Sequence, residues 1–447
     1  MRSLLFPLCA GLALALGAPA PAAQAKAEVQ GSPEPVGLGF APAWHFSGYA
    51  TLGHAEMRSS AALSQARDQT QSQPRAWEVD SRLGLQLEGQ LTPVLGLTAQ
   101  AVLRPRVPDT PAIHSLEWAF AHWVPRPGWL LRVGRTSPDL FLYADVRNVG
   151  IAFPWVRLNP EFYAWMPVQS IDGLDLSHDW AAGEATWRLK LGYAHGLVRV
   201  AAQSSGTPGD AQLDAVRLLT LSRDSVASRV KLSVMRARLD LARAPVLLAL
   251  NNQLATLSAQ AAALQLPGVA GEAEVLRQGL GVRGETRYYS LGAQQDLGPW
   301  QFTAEWSLYL NTARQTDAQR HYLGVARRFE QITVFAIAGR SKMRDAPLTP
   351  PQAWAAALAP SVGATAAAQA TALGVAAAQA GNQGRTAQRS VGLGLRWDVA
   401  PQLAAKLQWD RTQVDAFGRA LWAMKPGMAD ARPFSARVLS LSLDVSF

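Results

Sequence analysis

The sequence predicts an all-β fold: a transmembrane antiparallel β-barrel of about sixteen strands, with short turns at one rim and long loops at the other. Three observations point there. The closing residues set Leu439, Leu441, Leu443, Val445 and Phe447 on one face and Ser440, Ser442, Asp444 and Ser446 on the other, because a strand turns successive side chains to opposite sides. The same alternation recurs along the chain in segments of about ten residues, long enough to cross a bilayer as tilted strands. The connections between these segments alternate between very short and very long.

The amino terminus precedes this pattern. Arg2, the apolar run Leu4 to Leu16 and the small-residue site Ala23-Gln24-Ala25 have the three parts of a secretory signal. Residues 1–25 are therefore expected to be a cleaved signal peptide, followed by a short extension over 26–43 and the barrel over 44–447. The apolar run, interrupted by Pro7 and Gly11, is too short for a membrane helix. The single cysteine, Cys9, lies in that leader, so the exported chain would hold no disulfide and no thiol chemistry. Farther on, Pro245 to Gly271 and Ala346 to Gly384 lack charges, but their Pro, Gln, Asn and Gly argue against insertion as helices. The chain is nonetheless 49% hydrophobic with 15 tryptophans, which suits apolar side chains dispersed at every second position. The formal charge is +9, or +8 without Arg2. Export excludes nucleic acid as the partner of that charge; anionic lipid headgroups, or anions crossing a lumen, fit it better.

Strands are expected to start near 44, 78, 94, 113, 129, 170, 184, 213, 228, 287, 300, 319, 331, 388, 402 and 437. The cleanest run opposes Trp300, Phe302, Ala304, Trp306, Leu308 and Leu310 to Gln301, Thr303, Glu305, Ser307 and Asn311. Val391, Leu393, Leu395, Trp397 and Val399 likewise oppose Gly392, Gly394, Arg396 and Asp398. Three segments are harder to phase. Gln331 to Ala338 is apolar on both faces, and Leu213 to Arg223 has an ambiguous phase. Arg236 and Arg238 fall on apolar parity, which calls for a bulge near Met235 or a strand end there. Leu91-Thr92-Pro93, Pro125-Arg126-Pro127-Gly128, Leu297-Gly298-Pro299 and Ala400-Pro401 supply tight turns. Long loops fill 55–77, 137–169, 242–286 and 344–387. About sixteen strands enclose more space than side chains fill, and the polar inward residues of the clean strands suit a wet lumen.

Residues 137–169 hold Phe141, Tyr143, Phe153, Trp155, Phe162, Tyr163 and Trp165, and rings of that size must be buried somewhere. Folding of this loop into the barrel, so that it narrows the lumen, is favoured over an external cap because apolar surface needs a wall to pack on. Its charges, Asp139, Asp145, Arg147, Arg157 and Glu161, would then line a constriction. Arg82, Arg104 and Arg132 take inward positions on the second, third and fifth strands. Carboxylates facing guanidiniums across a wet gap make a transverse field that sorts solutes. Glu117, Arg188, Lys190, Lys231, Glu305, Arg396 and Lys406 add further lumen charge. For any one of these, a solvated group paired with a neighbour is as good a reading as a selective role.

These stretches carry a resemblance. The DSRLGLQLEGQL of the second strand, Leu116-Glu117-Trp118, and Asp172-Gly173 with Asp175 resemble bacterial general porins. A proteobacterial branch is similar in the loop, at Phe153-Pro154-Trp155-Val156-Arg157 and Pro160-Glu161-Phe162-Tyr163. The likeness spans 78–176 and the terminal strand. It implies a sixteen-stranded barrel, a third loop inside the lumen and a homotrimer of separate pores, with Asp139, Asp145 and Glu161 matching the loop carboxylates and Arg82, Arg104 and Arg132 the basic wall. The protein would then be an outer-membrane porin, in contact with membrane lipid and lipopolysaccharide, through which ions and small hydrophilic solutes diffuse passively.

Two loops depart from that pattern. Leu250, Leu254, Leu257, Ala261 and Leu264 recur at helical spacing, and 344–387 is an Ala-rich run. They are lids or subunit contacts, or else a partial plug or a partner-binding surface. A substrate-specific or partly plugged channel is thus the alternative within the class; its mark would be a continuous ladder of arginines or an aromatic track. An outer-membrane hydrolase is the weaker rival. His45, His54, His114, His122, His178, His195 and His321 are dispersed, without HExxH or G-x-S-x-G, so no catalytic residue, metal ligand or cofactor is assigned.

Overall fold

The computed structural model describes residues 42–65, 75–77, 79–106, 110–166, 168–200, 209–241, 244–312, 314–425 and 431–447. The expected leader and residues 26–41 of the extension lie outside them. Sixteen long strands form one closed antiparallel ring: β1 Ala43–Ser59, β2 Arg82–Thr92, β3 Leu95–Leu103, β4 Leu116–Trp123, β5 Trp129–Thr136, β6 Ile171–Ala182, β7 Ala185–Val200, β8 Gly209–Asp224, β9 Ser228–Asp240, β10 Arg283–Leu297, β11 Trp300–Asn311, β12 Ala318–Phe329, β13 Ile332–Met343, β14 Thr386–Ala400, β15 Leu403–Arg419 and β16 Phe434–Ser446. Each pairs with the next, and β16 pairs back onto β1 from Tyr49↔Ser446 to Ser59↔Ala436. Closure leaves no long strand with an open edge. A two-residue strand, Arg75–Ala76, adds to β1 ahead of β2, and Ala62–Gln65 pairs with Trp422–Met424.

The faces are inverted relative to a water-soluble protein. Leu439, Leu441 and Leu443 are 45%, 50% and 44% exposed, whereas Ser440 and Asp444 are fully buried. Trp44, Phe46, Trp129, Trp180, Trp300, Phe329, Trp397 and Phe447 are exposed toward the short-turn ends of the strands, as an aromatic belt at a membrane interface would be. The short turns use Gly183 (φ 62°) and Gly298 (φ 57°), positions where a side chain would strain the backbone.

Two sequence expectations are corrected. The bulge lies in β8, not near Met235: register shifts between Asp214 and Arg217, with Ala215 at φ 48°. That shift accounts for the ambiguous phase of 213–223. β9 continues unbroken to Asp240, and its outward Arg236 pairs with Glu285 on β10 instead of meeting hydrocarbon. The lumen wall also differs. Leu218, Met235, Tyr288, Tyr322, Phe335 and Ile337 point inward from β8–β13 and are buried in one apolar cluster. That half of the wall is a seat for the third loop, not a wet surface, because the loop's rings need apolar partners.

The long loops form helices. The third carries one short turn, α1 Pro160–Tyr163. The loop over 242–286 folds into α2 Pro245–Ala263 and α3 Pro267–Gly279, each started by a proline, which suits the first helical turn. The loop over 344–387 gives α4 Trp354–Val362 and α5 Ala364–Asn382. These helices pack on one another through Leu254, Ala261, Leu276, Leu280, Trp354 and Leu358. Trp354 Nε1 donates to Glu272 at 2.8 Å, fastening α4 to α3. No helix among the described residues is long and apolar enough to cross a membrane.

The lumen loop as candidate functional site

Between β5 and β6 the chain turns into the barrel. Its rings pack on the apolar seat, with Phe141 edge-on to Phe162 and Tyr288 at 5.7 and 5.8 Å, and Trp155 edge-on to Phe335 at 5.9 Å. Edge-to-face geometry matches ring quadrupoles, so these pairs add to the burial of area. Gly324 makes room for Trp155: a Cβ there would stand 2.4 Å from the indole.

Charged clamps then fix the loop along its length. Asp139, near its start, accepts from Lys190 of β7 at 2.5 Å and from Lys231 of β9. Lys231 also donates to Phe141 O at 2.9 Å, and Thr220 of β8 to Asp139 O at 2.9 Å. Glu305 of β11 accepts from Leu142 N at 2.8 Å, from Tyr322 at 2.8 Å and from Tyr163. In the middle of the loop, Lys406 donates to Gly150 O at 2.6 Å and Trp155 O at 3.0 Å while pairing with Asp444. Arg396, paired with Asp398, donates to Ile151 O and Phe153 O at 2.8 and 3.1 Å. Arg157 bridges Asp80 and Asp410 at 2.9 and 2.7 Å and reaches Ser440. Glu161 accepts from Gln388, Ser390 and Asn159 at 2.8, 2.9 and 2.8 Å.

The two buried loop carboxylates have opposite proton affinities. Burial disfavours the charge of each, but two ammonium groups hold Asp139 well below the usual carboxylate range. Glu161 has only neutral donors, and burial pushes its carboxyl up.

Other charges stand on the far wall. Arg132 holds Asp175 in a fork, Nε to Oδ1 at 3.0 Å and Nη2 to Oδ2 at 2.9 Å. Arg188 does the same with Asp179, both bonds at 2.6 Å. Glu117 pairs with Arg104 and Arg106 at 3.6 and 3.4 Å and accepts from Asn148 of the loop at 2.6 Å. Arg82 keeps Nε and Nη2 buried without an acceptor. Arg147 turns back on its own loop, with Nη1 3.5 Å from Val168 O.

Asp145 stands apart. It is exposed, while Asp139, Arg157 and Glu161 are buried. Its charge acts on Arg132, Arg188 and Lys231, which places it toward the β5–β9 arc of the wall. The structure thus separates residues that the sequence grouped. Asp139, Arg157, Glu161, Lys190, Lys231, Glu305, Arg396 and Lys406 hold the loop, Arg104 and Glu117 meet it through Asn148, and Asp145 is exposed with its charge reaching Arg132 and Arg188. Asp80 was missed as a site residue, although it opens the DSRLGLQLEGQL stretch, because nothing local shows that Arg157 reaches it. Among the described residues, no group of three His, Cys, Asp or Glu is placed to hold a metal.

No family model matches the sequence, and no curated protein matches it. Solved structures do. The anion-selective porin from Comamonas acidovorans is similar with a TM-score of 0.50 and 10% identity, covering 91% of this chain and 100% of that one. Salmonella typhi OmpF in complex with daunomycin follows at 0.49 and 11% identity, covering 90% of this chain and 97% of that one. The outer-membrane channel DcaP of Acinetobacter baumannii follows at 0.47 and 9%, covering 91% and 97%. At such identities the likeness is one of architecture. With its closed ring of sixteen strands and its third loop turned inward, this chain has a porin-like fold.

Proposed function

We propose that this protein is an outer-membrane channel through which ions and small hydrophilic solutes diffuse passively, narrowed between Asp145 and the basic wall of β5–β7. The carrying observation is that Asp145 is exposed and its charge reaches Arg132 and Arg188, while the loop's other carboxylates are tied into clamps. The apolar outer face supports a place in a bilayer, and the expected cleavage of residues 1–25 agrees with export to a Gram-negative outer membrane.

Two features of the outer face support the expected partners. Cross-strand neighbours share a face, so register assigns each side chain. On β2–β4 the outward residues, such as Leu85, Leu97, Ala99, Ala101, Ala119 and Ala121, carry no charge, which suits a subunit contact in a homotrimer. Elsewhere Arg58, Arg437 and Arg411 stand directly opposite one another across β1, β16 and β15, as do Arg340 and Arg389 across β13 and β14. Like charges so placed repel. Phosphates of lipopolysaccharide at the long-loop edge of the apolar band would neutralise them.

A partly plugged channel is the second reading. It is favoured by the breadth of the loop's contacts, since Asn148 reaches Glu117 on β4 and Gly150 lies against Thr51 and Asp444. Both readings meet in one experiment, reconstitution in a planar bilayer under a salt gradient. Stepwise conductance is expected, small if the plug reading holds. Asp145→Asn should move the reversal potential toward anions, whereas Glu161→Gln, buried behind the loop, should leave it in place. Confirmed insertion with no current would remove the channel assignment.

A further inference from the structure

Arg320, inward on β12, belongs to none of the clamps. It is 2% exposed, and its Nη2 donates to Thr386 Oγ1 at 3.0 Å. Its Nε and Nη1 are buried without an acceptor. Among the described residues, the titratable groups acting on it are Tyr288 and Tyr309, with no carboxylate among them. A guanidinium cannot shed its charge, so burial without a counter-charge is unfavourable.

The neighbouring donors are orphaned too. Tyr288 Oη, Ser307 Oγ and Trp165 Nε1 are buried without a well-formed hydrogen bond, the Tyr288 hydroxyl lying close to those of Ser307 and Ser290. Ser307 lies directly opposite Arg320 across β11 and β12, and Tyr288 lies opposite Tyr309 one inward step nearer the long loops. Trp165 covers the guanidinium at 4.0 Å, with its ring 5.6 Å from Tyr288 and 4.9 Å from Tyr309. Thr386 opens β14 shortly after α5, so this place lies just beneath the helices. Every unpartnered atom in the group can donate a hydrogen bond, and the rings supply flat apolar walls. What is missing is a negatively charged acceptor.

We propose that Arg320 anchors a subsite for organic anions, a carboxylate attached to an aromatic ring, which opens when Trp165 swings off the guanidinium. Nε–H and Nη1–H leave the guanidinium on different sides, so the carboxylate takes one of them in a charge-assisted hydrogen bond, with Ser307 and Tyr288 completing its shell. Its ring takes the place that the Trp165 indole holds against Tyr309. Trp165 is half-buried on the irregular stretch after α1, which leaves it able to act as the lid. The subsite deepens the channel reading and rests on it for access from outside.

The test is calorimetric titration of the folded protein in detergent with benzoate and, as the neutral probe, benzyl alcohol. Benzoate should bind once per chain, and benzyl alcohol should not. Arg320→Gln should weaken benzoate at least tenfold and Tyr288→Phe, which removes only the hydroxyl, several-fold. Trp165→Ala uncovers the guanidinium and should bind at least as tightly as the parent. Benzoate affinity unchanged in both Arg320→Gln and Tyr288→Phe, loss of binding in Trp165→Ala, or no benzoate binding to the parent would each overturn the subsite. Titration needs no current, so a parent that conducts without binding benzoate loses only the subsite. One that binds benzoate but never conducts loses only the channel.

Discussion

Asp139→Ala is expected to release the first part of the lumen loop and raise single-channel conductance several-fold. Among the described residues the carboxylate is the only acidic group bonded to Lys190 and Lys231, which both turn into the same buried place. Removing it leaves two ammonium groups out of water without the carboxylate that binds them both, and with only more distant acidic charge on Lys231. Breaking a buried pair from one side costs about 3–5 kcal/mol, or roughly two to four powers of ten in the docking equilibrium. The lysines regain water only if the segment around Asp139 lifts from β7–β9. Acid should not imitate the variant. A folded-state pKa depressed below its unfolded value of 3.8 gives stability that is present above 3.8 and lost only as pH falls through the depressed value. Glu161 works the other way. Its raised pKa gives a contribution that is complete below 4.5 and lost as pH rises through the folded value. Wild-type conductance should therefore stay low at pH 4, while Asp139→Ala is already high at pH 7. Equal conductance in the two proteins at pH 7 would refute the clamp.

Arg157→Gln is expected to free the middle of the loop with a similar loss, about 3–5 kcal/mol. Here the groups that lose their shared cation are carboxylates. Arg157 Nη2 holds Asp80 at 2.9 Å and its Nη1 holds Asp410 at 2.7 Å, with Ser440 on the same guanidinium. Asp80 lies in the stretch that precedes β2, so the substitution loosens that stretch as well as the third loop. Arg157→Lys should recover only part of the loss, because one ammonium cannot fork between two carboxylates. Detergent melts followed by electrophoretic mobility, together with current noise in bilayers, would show it. Since Asp139 and Arg157 dock on opposite arcs, their effects should add. A double variant no weaker than either single one would mean that the loop is held elsewhere.

The ring of strands was legible because lipid imposes a period of two on every crossing. Leu439 to Phe447 shows it without a break, and the structure keeps each of those residues on its expected face. Legibility failed where a local event reset the period, as at Ala215, and where the outward face leaves the apolar band, as at Arg236. The inward faces were harder. Tyr288, Tyr322 and Phe335 are apolar toward the lumen because a distant loop needs them, and no local pattern carries that information. The loop's charges were visible as charges, but their burial was not. Asp139 meets partners 51 and 92 residues away, and Arg157 meets Asp410 at a separation of 253. Arg320 escaped notice for the same reason: its meaning depends on Trp165, brought over it from the third loop.

The presence of the loop inside the barrel is open to a covalent test. A Cβ built on Gly292 of β10 stands 3.2 Å from Leu142 Cβ, close to the span of about 3.5–4.5 Å that a disulfide bridges. The sequence holds a single cysteine, Cys9, in the expected leader, so a Leu142→Cys/Gly292→Cys protein would carry one new pair. Mass spectrometry after mild oxidation should find residues 142 and 292 cross-linked in the folded barrel, with conductance retained. Two free thiols, open to a water-soluble label in a correctly folded barrel, would place the loop outside the lumen and contradict the account.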